Sequence, residues 1–386
     1  MYQVLTLNKI SPAGLDMLPE DGYKVKSDIK NPDAIIVRSH NMHDMELPPK
    51  LKTVARAGAG VNNIPVSKCS ERGIVVFNTP GANANSVKEL VLAGLFLSSR
   101  QIVQGIGWAK GLIGTGDVPK LVEKGKSQFS GPEIMGKTLG VIGLGAIGVM
   151  VANDAAALGM DVTGFDPFIS IESAWDLSRS IRKARGLESL LAEADYISLH
   201  IPLTDETKGM INSALFSKMK KGVRILNFAR GGLVKTDYLA RAIEKSIVSC
   251  YVTDFPDDDI LRLDNVIGIP HLGASSPEAE ENCARMAACQ LRDFLEFGTI
   301  RNSVNFPFCE LDIAGTKRIV IANRNIPTMM GQITAVLSEE GINIADMLNR
   351  SKGENAYNII DIDGEISQES VERFRAIEGV TMVRVI

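Results

Sequence analysis

The chain has 386 residues, five cysteines, four histidines and a formal net charge of −4. That length exceeds one ordinary core, so two or three domains are expected; the small negative charge offers no global field for nucleic acid or an anionic membrane, and no apolar run approaches the roughly 20 residues that span a bilayer. An odd cysteine count without C-x-x-C, no clustered His/Cys set, and an N-terminus MYQVLTLNKI with no basic stretch before an apolar one argue for a reducing, cytoplasmic setting without a metal centre.

In chain order, YQVLTL, DAIIVRS, TVARAG and GIVVFNT read as short apolar or β-branched strands within residues 1–92. Parallel strands with crossover helices are implied. A second series follows over 93–276, through TLGVIGL, DVTGFD, DYISLHIP, VRILNFA, VSCYVTDF and NVIGIP, with helical stretches between. The segment PEAEENCARMAACQLRDFLEFG carries apolar residues at helical spacing and returns the chain to its first domain. The substrate domain would then be split between 1–92 and 277–305, with 93–276 inserted and a cleft between the two, a usual place for a ligand. After a break at SVNFPFCELDIAGTKR, residues 315–386 read as β-α-β-β-α-β, the ferredoxin-like pattern, and as a separate regulatory or assembly unit.

The stretch GVIGLGAIGVMVANDAAALGMDVTGFD, Gly140 to Asp166, is the most informative. It reads as strand, tight glycine turn, helix, second strand and terminal carboxylate. Gly143, Gly145 and Gly148 supply G-x-G-x-x-G: the first for the turn, the second so that a pyrophosphate can approach the backbone, the third for close packing of helix on strand. Asp166 stands where a carboxylate accepts from both ribose hydroxyls and repels a 2′-phosphate, which favours NAD over NADP. Two further segments carry chemistry. In LNFARGGLV, Arg230 follows a β-rich run, where a guanidinium can grip a carboxylate with two parallel hydrogen bonds and polarise a carbonyl. In IPHLGASS, His271 follows a strand; interconverting a secondary alcohol and a ketone needs a group that exchanges the hydroxyl proton, and histidine titrates near neutrality.

Taken in order, ARAGAGVNN, NTPGANANSVKE, GVIGLGAIG, LNFARGGLV and PHLGASS resemble the signatures of the D-isomer-specific 2-hydroxyacid dehydrogenase family, and the resemblance runs over essentially the whole chain. It implies two Rossmann- or flavodoxin-like α/β domains, an NAD cofactor and a homo-oligomer, dimer or tetramer. It also implies a catalytic set in which Arg230 anchors the substrate carboxylate, His271 is the general acid/base and a carboxylate orients the histidine. The family's glutamate falls on Asp259 by count from Asp254, with Asp258 the alternative because the loop is compressed. The resemblance further assigns NAD contacts to Ala146, Ile147, Pro202, Thr207, Ala229, Asp254 and Gly273, with Asp254 holding the nicotinamide carboxamide.

Members carrying a β-α-β-β-α-β tail of this kind, which resembles an ACT domain, oxidise 3-phospho-D-glycerate to 3-phosphohydroxypyruvate, the entry step to L-serine. In them Arg38 and Arg56 would contact the substrate phosphate, and Gly58 and Ala59 would offer amides to its carboxylate. A glyoxylate or hydroxypyruvate reductase and an NAD-sensing corepressor are the alternatives. An amino-acid effector would be held by Asn323 and Asn325 with Asn343 from a partner subunit, but Asn323 replaces the histidine of serine-inhibited relatives and cannot become cationic.

Overall fold

Short β-branched runs become parallel strands wherever both faces can be covered, and every strand run expected from the sequence is present. The computed structural model describes all 386 residues, which fall into two compact units, Met1–Asn83 with Pro277–Ile386 and Ala84–Ser276.

In the first unit β1 (Tyr2–Leu7), β2 (Tyr23–Lys26), β3 (Ala34–Val37), β4 (Thr53–Arg56) and β5 (Val75–Phe77) form one parallel sheet. Its order, β2-β1-β3-β4-β5, is the flavodoxin-like order. Strand β2 has no counterpart in the sequence reading: YKVK alternates lysine with apolar residues, and only an edge position lets both lysines reach water. The Pro277–Phe297 helix covers one face. Its Ala284, Ala287, Ala288 and Leu291 share a core with Val4, Ile36, Ala55, Val75 and Phe77.

The second unit holds β6 (Thr138–Ile142), β7 (Asp161–Phe165), β8 (Arg182–Lys183), β9 (Tyr196–Leu199), β10 (Val223–Asn227), β11 (Val248–Thr253) and β12 (Val266–Gly268). The order β12-β11-β10-β9-β6-β7-β8 is that of a Rossmann sheet, with the reversal between β6 and β9. This unit begins at Ala84 rather than at residue 93. The Ala84–Arg100 helix buries Val87, Val91 and Leu95 against Leu139, Val141 and Leu226, so it packs with the sheet that follows it. No single helix in the chain is long and apolar enough to cross a membrane.

The tail forms β13 (Lys317–Arg324), β14 (Asn343–Lys352), β15 (Asn355–Asp363) and β16 (Val380–Val385), antiparallel in the order β14-β15-β13-β16, with helices Met329–Glu339 and Gln368–Ala376. This is the expected ferredoxin-like arrangement. The helices cover one face through Ile333, Leu337 and Phe374. The other face is not left for a partner. Val320, Ala322, Tyr357 and Ile359 pack on Phe294, Leu295, Phe306 and Cys309, so this face of the tail sheet shares the first unit's core. Gly298 permits this close approach: it ends the Pro277–Phe297 helix with φ +69°, a Cβ there would strike Val320, and its carbonyl accepts from the Tyr357 hydroxyl at 2.8 Å.

Candidate active site

The glycine turn after β6 lies at the point where strand order reverses. Gly143 has φ +92°, and a Cβ on it would stand 2.5 Å from the His200 carbonyl oxygen; a Cβ on Gly148 would strike the Gly143 carbonyl. Those two glycines are required by packing. Gly145 is different, because nothing lies within 4 Å of its missing Cβ. Space at that position, with the unpaired amides of Ala146 and Ile147 opening the Ala146–Ala157 helix, fits the pyrophosphate of a dinucleotide. Asp166 closes the site from the end of β7. Its two oxygens accept from the amides of Leu144 and Phe168, each at 2.8 Å, which fixes the carboxylate and leaves lone pairs for a ribose diol. Beyond β9, Thr207 organises the loop that contains Pro202: its hydroxyl donates to the Pro202 carbonyl at 2.6 Å, and the Thr204 amide donates to it at 2.8 Å. Beneath the turn, burial lowers the His200 pKa to about 4, so the ring is neutral at physiological pH, and Nε2 lies 2.8 Å from the Ser198 hydroxyl.

Strands β10 and β11 deliver the chemistry. Asn227, fully buried at the end of β10, accepts from the amides of Ala229 and Arg230 and donates to the Arg230 carbonyl at 2.9 Å and to the Tyr251 hydroxyl at 2.9 Å. One amide side chain therefore shapes the whole turn that carries Ala229 and Arg230. The exposed Arg230 guanidinium donates to the Ala229 carbonyl at 2.6 Å and sits 5.9 Å from the centre of the Phe255 ring. The His271 ring stands 4.5 Å from that same ring, so Phe255 touches both candidate catalytic side chains. Asp254 is 1 % exposed, and one of its carboxylate oxygens has no partner. Burial raises its pKa, while His271, Arg230 and the Gly273 amide pull the other way. A buried acceptor without a donor costs about 1–3 kcal/mol, and the amide of a nicotinamide carboxamide would satisfy it.

Asp259 does not join this group. It lies exposed in the first turn of the Asp258–Leu261 helix, whose N-cap Asp257 accepts from the Ile260 amide at 2.8 Å, and no hydrogen bond or ion pair links Asp259 or Asp258 to His271.

In the first unit Arg38 follows β3 and Arg56 ends the neighbouring strand β4. Arg38 Nη1 is 2.7 Å from Glu280 Oε1, and Arg56 Nε donates to Asn63 Oδ1 at 3.1 Å. A Cβ on Gly58 would strike the Arg56 guanidinium, so glycine there makes room for it. The Gly58 carbonyl accepts from the Thr79 amide at 3.1 Å, and the Ala59 carbonyl from Asn78 Nδ2 at 2.6 Å. The Cys283 thiol is buried. Burial raises its pKa, the Thr79 hydroxyl, Arg38 and Arg56 lower it, and Glu280 raises it.

The three tail asparagines are not brought together within one chain. Asn323 is buried, donating to the Arg324 carbonyl and accepting from Asn358 Nδ2, each at 2.7 Å. Asn325 donates to the Gly353 carbonyl at 3.2 Å and Asn343 to Asp363 at 2.8 Å. Asn323 pairs with Ala356 at one end of β15 and Asn343 with Asp363 at the other, about 23 Å apart at strand rise. Asn227, Phe255, His200 and Glu280 are absent from the sequence reading. A polar residue ending the apolar run VRILN was the one available signal, for Asn227.

The family description "D-isomer specific 2-hydroxyacid dehydrogenase, NAD binding domain" matches residues 99–273. The chain is 32% identical over 381 residues to D-3-phosphoglycerate dehydrogenase of Haemophilus influenzae, covering 95% of this chain and 89% of that protein. The chain belongs to the D-isomer specific 2-hydroxyacid dehydrogenase family. It is also 35% identical over 332 residues to D-3-phosphoglycerate dehydrogenase of Archaeoglobus fulgidus, over 80% of this chain but spanning only 60% of that longer family member. Among solved structures of the family, NAD+-bound 3-phosphoglycerate dehydrogenase of Entamoeba histolytica superposes with a TM-score of 0.62 at 28% identity, covering 80% of this chain and 99% of that one.

Proposed function

We propose that the chain oxidises 3-phospho-D-glycerate to 3-phosphohydroxypyruvate with NAD in the cytoplasm, the entry step to L-serine. The observation that carries this reading is that Arg38 and Arg56 stand at the same end of the paired parallel strands β3 and β4, in a family member whose curated relatives are phosphoglycerate dehydrogenases. Two guanidinium groups in one small region suit a phosphate dianion.

When bound, NAD supplies the acceptor for the hydride that leaves C2 of the substrate. Everything else falls to the chain. Arg230 holds the substrate carboxylate by two parallel hydrogen bonds. His271 takes the C2 hydroxyl proton as the ketone forms and returns it in the reverse direction. The unpartnered oxygen of Asp254 accepts from the carboxamide and fixes the nicotinamide ring, Gly145 admits the pyrophosphate, and Asp166 accepts from the adenosine ribose and turns away a 2′-phosphate. The tail belongs to the ACT type and is the seat of any amino-acid effector, with the third asparagine supplied by a partner subunit.

The test is steady-state kinetics of the wild type and His271→Asn with 3-phosphoglycerate, D-glycerate, phosphohydroxypyruvate and glyoxylate, and with NAD beside NADP. The expected result is a preference for 3-phosphoglycerate and NAD, with turnover falling by roughly 10²–10⁴-fold in the variant at unchanged NAD affinity. Faster reduction of glyoxylate than of phosphohydroxypyruvate, or a loss under tenfold in the variant, refutes the reading.

A further inference from the structure

We propose that Glu280 sets substrate selectivity by competing with the substrate's phosphate for Arg38. This rests on the functional reading above. The Arg38 and Glu280 side chains, 36% and 43% exposed, meet at 2.7 Å. Both backbones are held. Glu280 stands in the first turn of the Pro277–Phe297 helix beside buried Ala279, Cys283 and Ala284. Arg38 follows β3, where its carbonyl accepts from Asn63 Nδ2 at 3.4 Å and the next amide, Ser39, donates to Asn8 Oδ1 at 3.0 Å.

The chemistry follows from charge. A phosphate monoester carries close to two negative charges at pH 7, and an arginine fork grips it bidentately. With Glu280 on Arg38, the phosphate must displace a carboxylate that then remains nearby as a like charge. A pair this exposed is weak, so the carboxylate can be displaced, yet its cost appears in the affinity for the phosphorylated substrate alone. D-Glycerate, which has no phosphate, does not contest Arg38. The glutamate therefore narrows the gap between phosphorylated and unphosphorylated substrates, and holds the phosphoglycerate KM above what the two arginines alone would give.

The experiment is Glu280→Gln, which keeps the helix and the hydrogen-bonding shape but removes the charge. At low ionic strength the KM for 3-phosphoglycerate should fall about threefold to tenfold with kcat unchanged, D-glycerate kinetics should move less than twofold, and the difference should shrink as salt is raised. In an Arg38→Ala background the same substitution should change the phosphoglycerate KM less than twofold. A raised KM, which would make Glu280 a support that positions Arg38, overturns the proposal, as does an equal shift for both substrates or none. Calorimetric titration of inorganic phosphate reads the same competition without turnover. If the wild type fails to oxidise 3-phosphoglycerate, the functional reading falls; tighter phosphate binding by Glu280→Gln still upholds the competition, and unchanged phosphate binding ends it.

Discussion

At the scale of single residues, His200 lies behind the dinucleotide turn, where burial keeps its ring neutral. His200 has its pKa lowered to about 4 by burial, against 6.5 for the free side chain. The unfolded chain therefore binds a proton between pH 6.5 and 4 that the folded chain refuses, and His200 withdraws stability as pH falls through that window. The full loss approaches roughly 3 kcal/mol at pH 4. Carboxylates titrate there as well, so the decisive quantity is a difference: urea midpoints of the wild type and His200→Gln should converge as pH drops from 7 to 4. Parallel pH profiles would mean that His200 is as solvated as in a peptide. The candidates Arg230 and His271 could be picked out in the sequence because each follows a β-rich run and shortly precedes glycine. The orientation of Arg230 was not, since it depends on Asn227, Ala229 and Phe255, which meet only when β10 and β11 pair. Nor could spacing decide between Asp258 and Asp259, because both lie on one exposed helical turn.

Among the elements, β13 and β15 are joined by a buried ion pair that also ties the tail to its neighbour. Arg318 donates bidentately to Asp361 at 2.7 and 2.8 Å and uses its other donors on the carbonyls of Phe297, Leu311 and Asp312. Burial alone would raise the Asp361 pKa, but the Arg318 hydrogen bonds and the Ala314 amide prevail and hold it below the usual carboxylate range. Arg318→Met strands that charge and should cost about 3–5 kcal/mol, whereas the double change Arg318→Met with Asp361→Leu should recover most of it. Denaturant unfolding of the three proteins checks this, and a double variant no better than the single would show that the lost carbonyl contacts, not the stranded carboxylate, dominate. Periodicity found the tail's strands and helices because their apolar residues alternate cleanly. It could not find this seat, because Arg318 reads as one more polar position in KRIVIANR until the Phe297 and Leu311 carbonyls are brought to it.

For the whole molecule, the tail and the first unit share part of one core. Phe294, Leu295, Phe306 and Cys309 lie under β13 and β15, and a large apolar side chain uncovered to water loses roughly 1.5–3 kcal/mol. A chain ending after Glu310 should therefore unfold at a clearly lower temperature than the full chain and scatter light as heterogeneous aggregates, even though its parallel sheets are intact. Calorimetry and light scattering on the two proteins decide the point; equal midpoints and a single sharp mass for the short form would show that the tail is dispensable packing. The ferredoxin-like pattern was readable from order alone, but which face of its sheet meets which helix is a long-range fact that local patterns do not carry.

The Pro277–Phe297 helix is gripped at both ends. Glu280 near its start meets Arg38, and at its finish the carbonyls of Phe294 and Phe297 accept from Arg384 and Arg318, each at 3.0 Å, while Leu295 also accepts from Arg384. Helix termini usually fray, opening their amides to solvent at little cost, whereas amides in the most stable units exchange only when the whole fold opens. With its final carbonyls tied to the tail, this helix has no loose C-terminal turn. In hydrogen–deuterium exchange its amides from Ala287 to Phe297 should be lost together and last, and removing the tail should convert the final turn to fast exchange while leaving the middle slower.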